Sequence, residues 1–261
     1  MKNALIGYTG FVGNTLLRQA QFECLYRSIN INEIENNNFD TIVCAGAPAQ
    51  KWIANREPEE DLKNINLLIR HLRNVKCKTF ILISTVDVFK NPIGVDENTI
   101  IDESGLNPYG LHRRLLEKFV ENHFSNHLII RLPGLVGPGL RKNVIFDFLN
   151  NNNLQAIESR GIFQFYPMVN LWSDIKYALI ADLNLVHLTA EPISVADVSI
   201  ECFGVKFNQE LIGTPSVYDL RTIYSKVFHG EGNYQYKKRE SIQAIRAYVQ
   251  SERLFKINTK L

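Results

Sequence analysis

No stretch of this 261-residue sequence stays apolar for the ~18 residues that a membrane-spanning helix requires. The opening "MKNALIGYTG" carries a lysine and some apolar residues, but glycines interrupt it too early for the core of a secretory leader. Cysteine is scarce. Cys24, Cys44, Cys77 and Cys202 show no CxxC spacing and no disulfide framework, so they read as reduced thiols of a cytoplasmic protein. Cys24 and Cys44 lie inside apolar runs and read as core residues. An excess of one charge is lacking too: 29 Lys+Arg against 27 Asp+Glu leave a net charge of +2, which gives no argument for a nucleic acid or an anionic membrane. There is no internal repeat, and the low-complexity stretches are two short Asn runs, at 36–38 and 150–153. What is present is ordinary and ample. Hydrophobic residues make up 45% and charged residues 21%, enough for one large domain or a domain with a smaller lobe.

Along the chain, short apolar runs alternate with helical patterns. "NALIG", "FECLY", "DTIVCAGA", "TFILIS" and "HLIIRL" read as strands, the third continuously apolar as a strand buried on both faces should be. Between them, "FVGNTLLRQAQ" has helical spacing. A long helix begins at Pro58, with Glu59, Glu60 and Asp61 in its first turn and Leu62, Ile65, Leu68, Ile69 and Leu72 on one face. "YGLHRRLLEKFVENHF" is a further helix. Strand–helix alternation implies right-handed crossovers and a parallel sheet, hence an α/β fold with a doubly wound parallel sheet. After Gly139 the pattern loosens. "NVIFDFLNNNN" reads as a short helix, "LWSDIKYALIADL" as an amphipathic helix packing back on the sheet, and "SVADVSIECFG" and "ESIQAIRAYVQSERL" as later helices. The expected division is a first domain over 1–140, with the helix near 171–183 packed on it, and a small substrate lobe over most of 141–261.

"GYTGFVG", residues 7–13, falls between the first strand and the first helix. There Gly7 would allow a tight turn, Gly10 would let a pyrophosphate approach the backbone, and Gly13 would let helix and strand pack closely. The helix N-terminus, with the amides of Phe11, Val12 and Gly13, supplies donors and a positive dipole end. The bland alternative is a crowded loop relieved by glycines.

The spacing is G-x-x-G-x-x-G, and with it the chain resembles the extended short-chain dehydrogenase/reductase family, the branch of nucleotide-sugar epimerases, reductases and dehydratases. Further motifs follow in family order: "DTIVCAGA", "LISTVDVF", "NPYGLHR" and "IIRLPGLVGPG". The likeness is close over roughly the first 140 residues and loose beyond. It implies a Rossmann-type fold, catalysis by Thr85 and Tyr109, and cofactor contacts from Ala45, Gly46, Ala47, Leu132 and Pro133 as well as the glycine turn. It implies substrate contacts from Thr85, Asp87, Gly134 and Asn143, and a homodimer as a family habit. Where the family places a lysine four residues after the tyrosine, this chain has Arg113, so the motif reads Y-x-x-x-R.

Tyrosine ionises near pH 10, so it needs a neighbouring cation to work as acid or base near neutrality. Arg113, one helical turn on and on the same face, is the expected cation, with ribose hydroxyls as its further partners. Arg114 points about 100° away and is expected to be dispensable. Cofactor choice turns on the end of the second strand, where Arg27 stands twenty positions after Gly7 with Ser28 beside it. A cation and a hydroxyl suit a 2′-phosphate, favouring NADP over NAD. The position after Thr85 is Val86, not the acid of the dehydratases, and Gly134 departs from the epimerase pattern. The aromatic run "FQFYPMVNLW" supplies Tyr166 and Trp172 as candidates to stack on a base or sugar, against a core role. The expectation is thus an NADP-dependent oxidoreductase or epimerase acting on a nucleotide-activated sugar, most like a 4-keto-sugar reductase, with no metal, nucleic-acid or membrane partner. Its rival is a dinucleotide-binding sensor or scaffold that has lost turnover, which Arg113 favours.

Overall fold

The structure is a computed structural model and describes residues 2–258, with side chains described up to Glu252. In chain order it contains β1 (Asn3–Ile6), α1 (Phe11–Gln19), β2 (Cys24–Tyr26), β3 (Asn38–Cys44), α2 (Lys51–Arg56), α3 (Pro58–Leu72), β4 (Lys76–Thr85), β5 (Ile93–Val95), α4 (Pro108–His123) and β6 (His127–Leu132). There follow β7 (Gly134–Val136), α5 (Val144–Asn150), β8 (Ile162–Phe163), β9 (Phe165–Pro167), α6 (Leu171–Ile180), β10 (Leu185–His187), β11 (Ile193–Ser194), α7 (Val195–Phe203), β12 (Asp219–Leu220) and α8 (Lys238–Asn258).

Two compact units divide the chain. The first holds the residues up to Asn91, Glu97–Leu132 and Leu171–His187; the second holds Pro92–Asp96, Pro133–Asn170 and the chain from Leu188 on. The first unit therefore stops before residue 140. The reason is that β7, just past Leu132, pairs with β9 of the second unit, while β5 pairs with β12 there.

The first unit is a doubly wound α/β fold. Its six strands run in the order β10-β6-β4-β3-β1-β2, all parallel. The later halves of β3 and β4, residues 42–44 and 80–83, and most of β6 are apolar because helices cover both faces there; α3 packs with α4, and α1 with α6. Ile65, Leu68, Ile69 and Leu72 of α3 and Leu116 and Val120 of α4 bury the stripe that their helical spacing predicts, against Ala4, Ile6, Ile42 and Phe80 of the sheet. Cys44 is fully buried there, and burial pushes its thiol up to about 11. The chain leaves β1 for β2 on one side and reaches β3, β4, β6 and β10 on the other. That reversal of strand order opens a crevice at the carboxyl ends of β1 and β3, where ligands of such sheets bind.

In the second unit the three strand pairs are two or three residues long, and α7 packs on α8. Among the described residues no helix is long and apolar enough to cross a membrane, and no group of three or more His, Cys, Asp or Glu is placed to hold a metal.

Candidate active site

The glycine turn sits at that crevice, and its three glycines have different reasons to be there. Gly7 has φ +84°, and a Cβ on it would lie 2.3 Å from the Ala45 carbonyl oxygen. A Cβ on Gly13 would lie 2.1 Å from the Gly7 carbonyl oxygen. Both are demanded by the chain itself. Gly10 is not. It caps α1 with φ −74°, and the nearest atom to an added Cβ is the Gly7 carbonyl oxygen at 3.4 Å. A side chain at Gly10 would fill open space in front of the helix, where the amides of Phe11, Val12 and Gly13 precede the first helical bond, from Asn14 N–H to the Gly10 carbonyl (2.8 Å). That arrangement fits a phosphate, whose approach only glycine leaves open. The exits of two neighbouring strands close on the turn. Gly7 N–H donates to the Tyr26 carbonyl (2.8 Å), which brings the exposed Arg27 and Ser28 to its side, and Ala45 N–H donates to the Ile6 carbonyl (2.9 Å). Gly46 and the half-buried Ala47 follow; a Cβ on Gly46 would meet Ile6 at 2.8 Å.

A second group gathers at the end of β4. Thr85 is its last residue and caps the short turn Val86–Val88, accepting from Asp87 N–H (3.2 Å). Helix α4 begins against this turn. Asn107 caps it by accepting from Gly110 N–H (3.0 Å), Pro108 occupies the first position, and a Cβ on Gly110 would collide with the Asp87 carbonyl oxygen at 2.0 Å. The local sequence Asn-Pro-Tyr-Gly thus lets α4 start in contact with the Thr85 turn, and Tyr109 follows from it. The Tyr109 N–H donates to Asn55 Oδ1 of α2 (3.0 Å), and Thr85 stands close enough to its hydroxyl to favour the anion. Lys51, at the start of α2, places Nζ 2.7 Å from Asp87 Oδ1.

Arg113 is 3% exposed and stacks its guanidinium over the Tyr109 ring, 4.0 Å from the centroid. All four terminal N–H groups are engaged: Nη1 donates to Asp61 Oδ2 (2.5 Å) and the Tyr109 carbonyl (3.3 Å), Nη2 to Asp61 Oδ1 (2.9 Å) and the Pro48 carbonyl. His112 Nδ1 lies 2.7 Å from Asp61 Oδ2. The Nε–H of Arg113, also buried, has no partner among the described residues. A buried guanidinium donor left unsatisfied at the foot of the tyrosine is the second feature, besides Gly10, that fits a polar ligand in this crevice. Burial raises Asp61, yet the hydrogen bonds and charges of Arg113 and His112 outweigh it and hold the carboxyl below the usual range. Burial likewise pushes the Tyr109 hydroxyl above 10, its ordinary value, and Asp87 adds to this; Arg113, Thr85 and Lys51 pull down and lose. Tyr109 therefore keeps its proton through neutrality.

No family profile and no curated protein matches this chain in sequence. In structure it is similar to a dTDP-4-dehydrorhamnose reductase from Clostridium acetobutylicum, with TM-score 0.73 and 15% identity over 97% of this chain and 100% of that one. A Pseudomonas aeruginosa protein, RMD complexed with NADPH, superposes with TM-score 0.71 and 16% identity over 97% and 100%. A UDP-glucuronic acid 4-epimerase from Bacillus cereus, in complex with NAD and a fluorinated UDP-sugar, gives 0.67 and 16% over 96% and 98%. The chain has the fold of these enzymes.

Several expected residues lie elsewhere or serve the fold. Leu132 is buried opposite Thr85 in the β4–β6 ladder, and Pro133 is buried at the start of the second unit. Gly134 is required by its own strand pair, since a Cβ there would sit 2.4 Å from the Gln164 carbonyl oxygen. Asn143 caps α5, accepting from the N–H groups of Ile145 and Phe146 and donating to the Leu135 carbonyl. Tyr166 is completely buried, edge-on to Tyr236, so its ring is core and cannot stack on a substrate. Trp172 is corrected too: its ring packs edge-on to Phe22, and its backbone N–H donates to Gln19 Oε1 at the far end of α1, a helix length of roughly 13 Å from the glycine turn. A cavity of about 380 Å³ in the second unit, lined among others by Asp147, Ile157, Phe163, Leu211 and Ser216, includes none of the expected substrate residues. Sequence reading missed Lys51, Asn55, Asp61 and His112. Asp61 was legible as a first-turn acid of α3, but its partners stand 51 and 52 residues away.

Proposed function

We propose that this protein is an NADP-dependent oxidoreductase or epimerase of the extended short-chain dehydrogenase/reductase type, acting on a nucleotide-activated sugar and most like a 4-keto-sugar reductase. The observation that carries the reading is the convergence of Thr85, Tyr109 and Arg113 beside a glycine turn in which no contact within the chain requires glycine at position 10. The turn, with the first amides of α1, would hold the pyrophosphate, Arg27 and Ser28 the 2′-phosphate, and Arg113 Nε–H a ribose hydroxyl. The nicotinamide supplies hydride when bound. Thr85 holds the substrate carbonyl oxygen, and Tyr109 gives that oxygen its proton. A tyrosine raised above its ordinary value is a proton donor at neutral pH, which suits reduction of a ketone better than its reverse. Neighbours of the same fold named as dTDP-4-dehydrorhamnose reductases and UDP-sugar epimerases support the substrate class.

The test is NADPH oxidation with dTDP- and UDP-linked 4-keto sugars. Tyr109→Phe should lower turnover by roughly two orders of magnitude or more, with little change in cofactor affinity. NADP should bind more tightly than NAD, and Arg27→Ala should remove the difference. Equal affinities in the native protein would refute the cofactor preference. The second reading, a cofactor-binding scaffold, is favoured by one observation: Asp61 and two carbonyls engage every terminal N–H of Arg113. Tight cofactor binding without oxidation of NADPH by any such sugar would select it.

A further inference from the structure

The cation nearest the tyrosine ring is not the only charge arranged around it. Tyr109 is faced by Arg113 from its own helix, by Thr85 and Asp87 from the turn after β4, and by Lys51 from α2, while Asp61 of α3 and His112 of α4 face Arg113. Arg113 is fixed: it is buried, forked on Asp61 and stacked on the ring. Lys51 and Asp87 differ in kind. Their side chains are 39% and 17% exposed and meet at 2.7 Å, and the Thr85 hydroxyl donates to Asp87 Oδ2 at 3.4 Å. Both stand beside Tyr109, because a Cβ on Gly110 would lie 2.0 Å from the Asp87 carbonyl oxygen and the Tyr109 N–H donates to Asn55 of the helix that carries Lys51 (3.0 Å).

We propose that Lys51 and Asp87 form a positioning pair that sets how readily Tyr109 releases its proton, without touching substrate. The inference rests on the reading of Tyr109 as the acid–base group. The Asp87 carboxylate opposes tyrosinate formation, and the Lys51 ammonium offsets that carboxylate while itself favouring the anion. A lysine suits the task because its ammonium is a compact charge on a flexible stem, able to follow the carboxylate, where a forked arginine would be fixed. The arrangement supplies from a separate helix an ammonium near the tyrosine, in a chain where the cation one turn along α4 is tied to Asp61.

The pair makes a two-sided prediction. Lys51→Met removes the ammonium and leaves Asp87 uncompensated, so Tyr109 should ionise less readily; Asp87→Asn should make it ionise more readily. The measurement is tyrosinate absorbance, taken as the difference between each variant and the same variant carrying Tyr109→Phe, over the alkaline range in which circular dichroism shows the chain folded. It needs neither cofactor nor substrate. At a given pH, Lys51→Met should show about tenfold less tyrosinate from Tyr109 than the native chain, the effect of one pKa unit. Asp87→Asn should show more, and Lys51→Arg should restore most of the native curve. In the enzyme assay, the alkaline limb of kcat should move in the same directions with KM little changed. A pair that only holds the turn would shift stability and leave the difference curves superimposed. Superimposed curves, including the case in which Tyr109 ionises in none of the proteins, overturn the proposal. Shifted curves in a chain without turnover would instead leave the pair standing and defeat the enzyme reading.

Discussion

Arg113 and Arg114 are adjacent on α4 and belong to two different ion clusters. Arg113 shares one carboxylate, Asp61, with His112, and spends its face on the Tyr109 ring. Arg114 points about 100° around the helix and meets Glu117 (2.9 Å), Glu121 (2.8 Å) and Glu103 (3.6 Å). Glu117, fully buried, is held further by Arg131 and by the Ser84 hydroxyl at 2.5 Å. Each arginine has a buried Nε–H without a hydrogen bond among the described residues, and Arg114 Nε lies 3.6 Å from Glu103. The Glu117 cluster is closed on itself, tying α4 to β4 and β6. The Asp61 cluster ties α3 to α4 beneath the Tyr109 ring. The contrast separates charges that hold the sheet and helix together from charges gathered around a tyrosine.

The sharpest way to break that contrast is at the two acids. Glu117→Ala should cost about 3–5 kcal/mol in denaturant unfolding, because it leaves Arg131, 2% exposed, as an uncompensated buried charge. The folded fraction should bind cofactor as the native protein does. Loss of cofactor affinity in that fraction would show the second cluster reaching the crevice. Asp61→Asn should cost roughly 3 kcal/mol for the same reason, but with a fall in turnover as the guanidinium loses its place over Tyr109. It should also change the acid limb. A carboxyl held below its ordinary value of about 3.9 contributes stability that is complete above that pH and is lost as pH falls through the lower native value. Native unfolding should therefore steepen below about pH 4, and Asp61→Asn should flatten that limb. The variant with an unchanged limb would show that Asp61 is not linked to folding.

A smaller effect bears on the substitution that the Y-x-x-x-R motif invites. A lysine at this position is the arrangement the family resemblance implies, so Arg113→Lys is expected to keep or improve activity. The fork on Asp61 and the bond to the Pro48 carbonyl qualify this expectation, since an ammonium cannot reproduce both. The variant should lose roughly 1–2 kcal/mol of stability, while keeping a cation beside the tyrosine and turnover within severalfold of native. Turnover as low as in Arg113→Ala would mean that the planar group itself is needed.

What the sequence made legible follows from where each signal is stored. Strand–helix alternation and the glycine spacing are local, so the parallel sheet and the roles of Gly7 and Gly13 could be read directly. Thr85 and Tyr109 came from short motifs, and the reason they meet, Gly110 against the Asp87 carbonyl, also lies within one motif. Lys51 and Asp61 left no such signal, because their partners stand 36 or more residues away and nothing in spacing joins them. The second unit was nearly illegible for another reason. Strands of two or three residues, such as Ile162–Phe163 and Asp219–Leu220, are too short for any period to show. Of the two readings that the sequence left open for Tyr166, stacking on a ligand or core, it takes the core.

The least effect is expected at Arg114, and it decides whether the two clusters are independent. On sequence alone the residue is a dispensable helix charge. Its side chain is in fact 17% exposed and touches three carboxylates. Removing it leaves Glu117 paired with Arg131 and Ser84, so no buried charge is stranded, and Lys118 still meets Glu103 at 2.5 Å. The cost of Arg114→Ala should then be that of a partly exposed ion pair, about 1 kcal/mol, partly recovered at high salt through screening. Turnover and the tyrosinate curve of Tyr109 should not change, since the guanidinium faces away from the ring. Chemical denaturation at two salt concentrations measures the first, and the assay with the spectral titration measures the second. If Arg114→Ala moved the Tyr109 curve, the clusters would be coupled through α4, and the division between them would have to be redrawn one residue further along the helix.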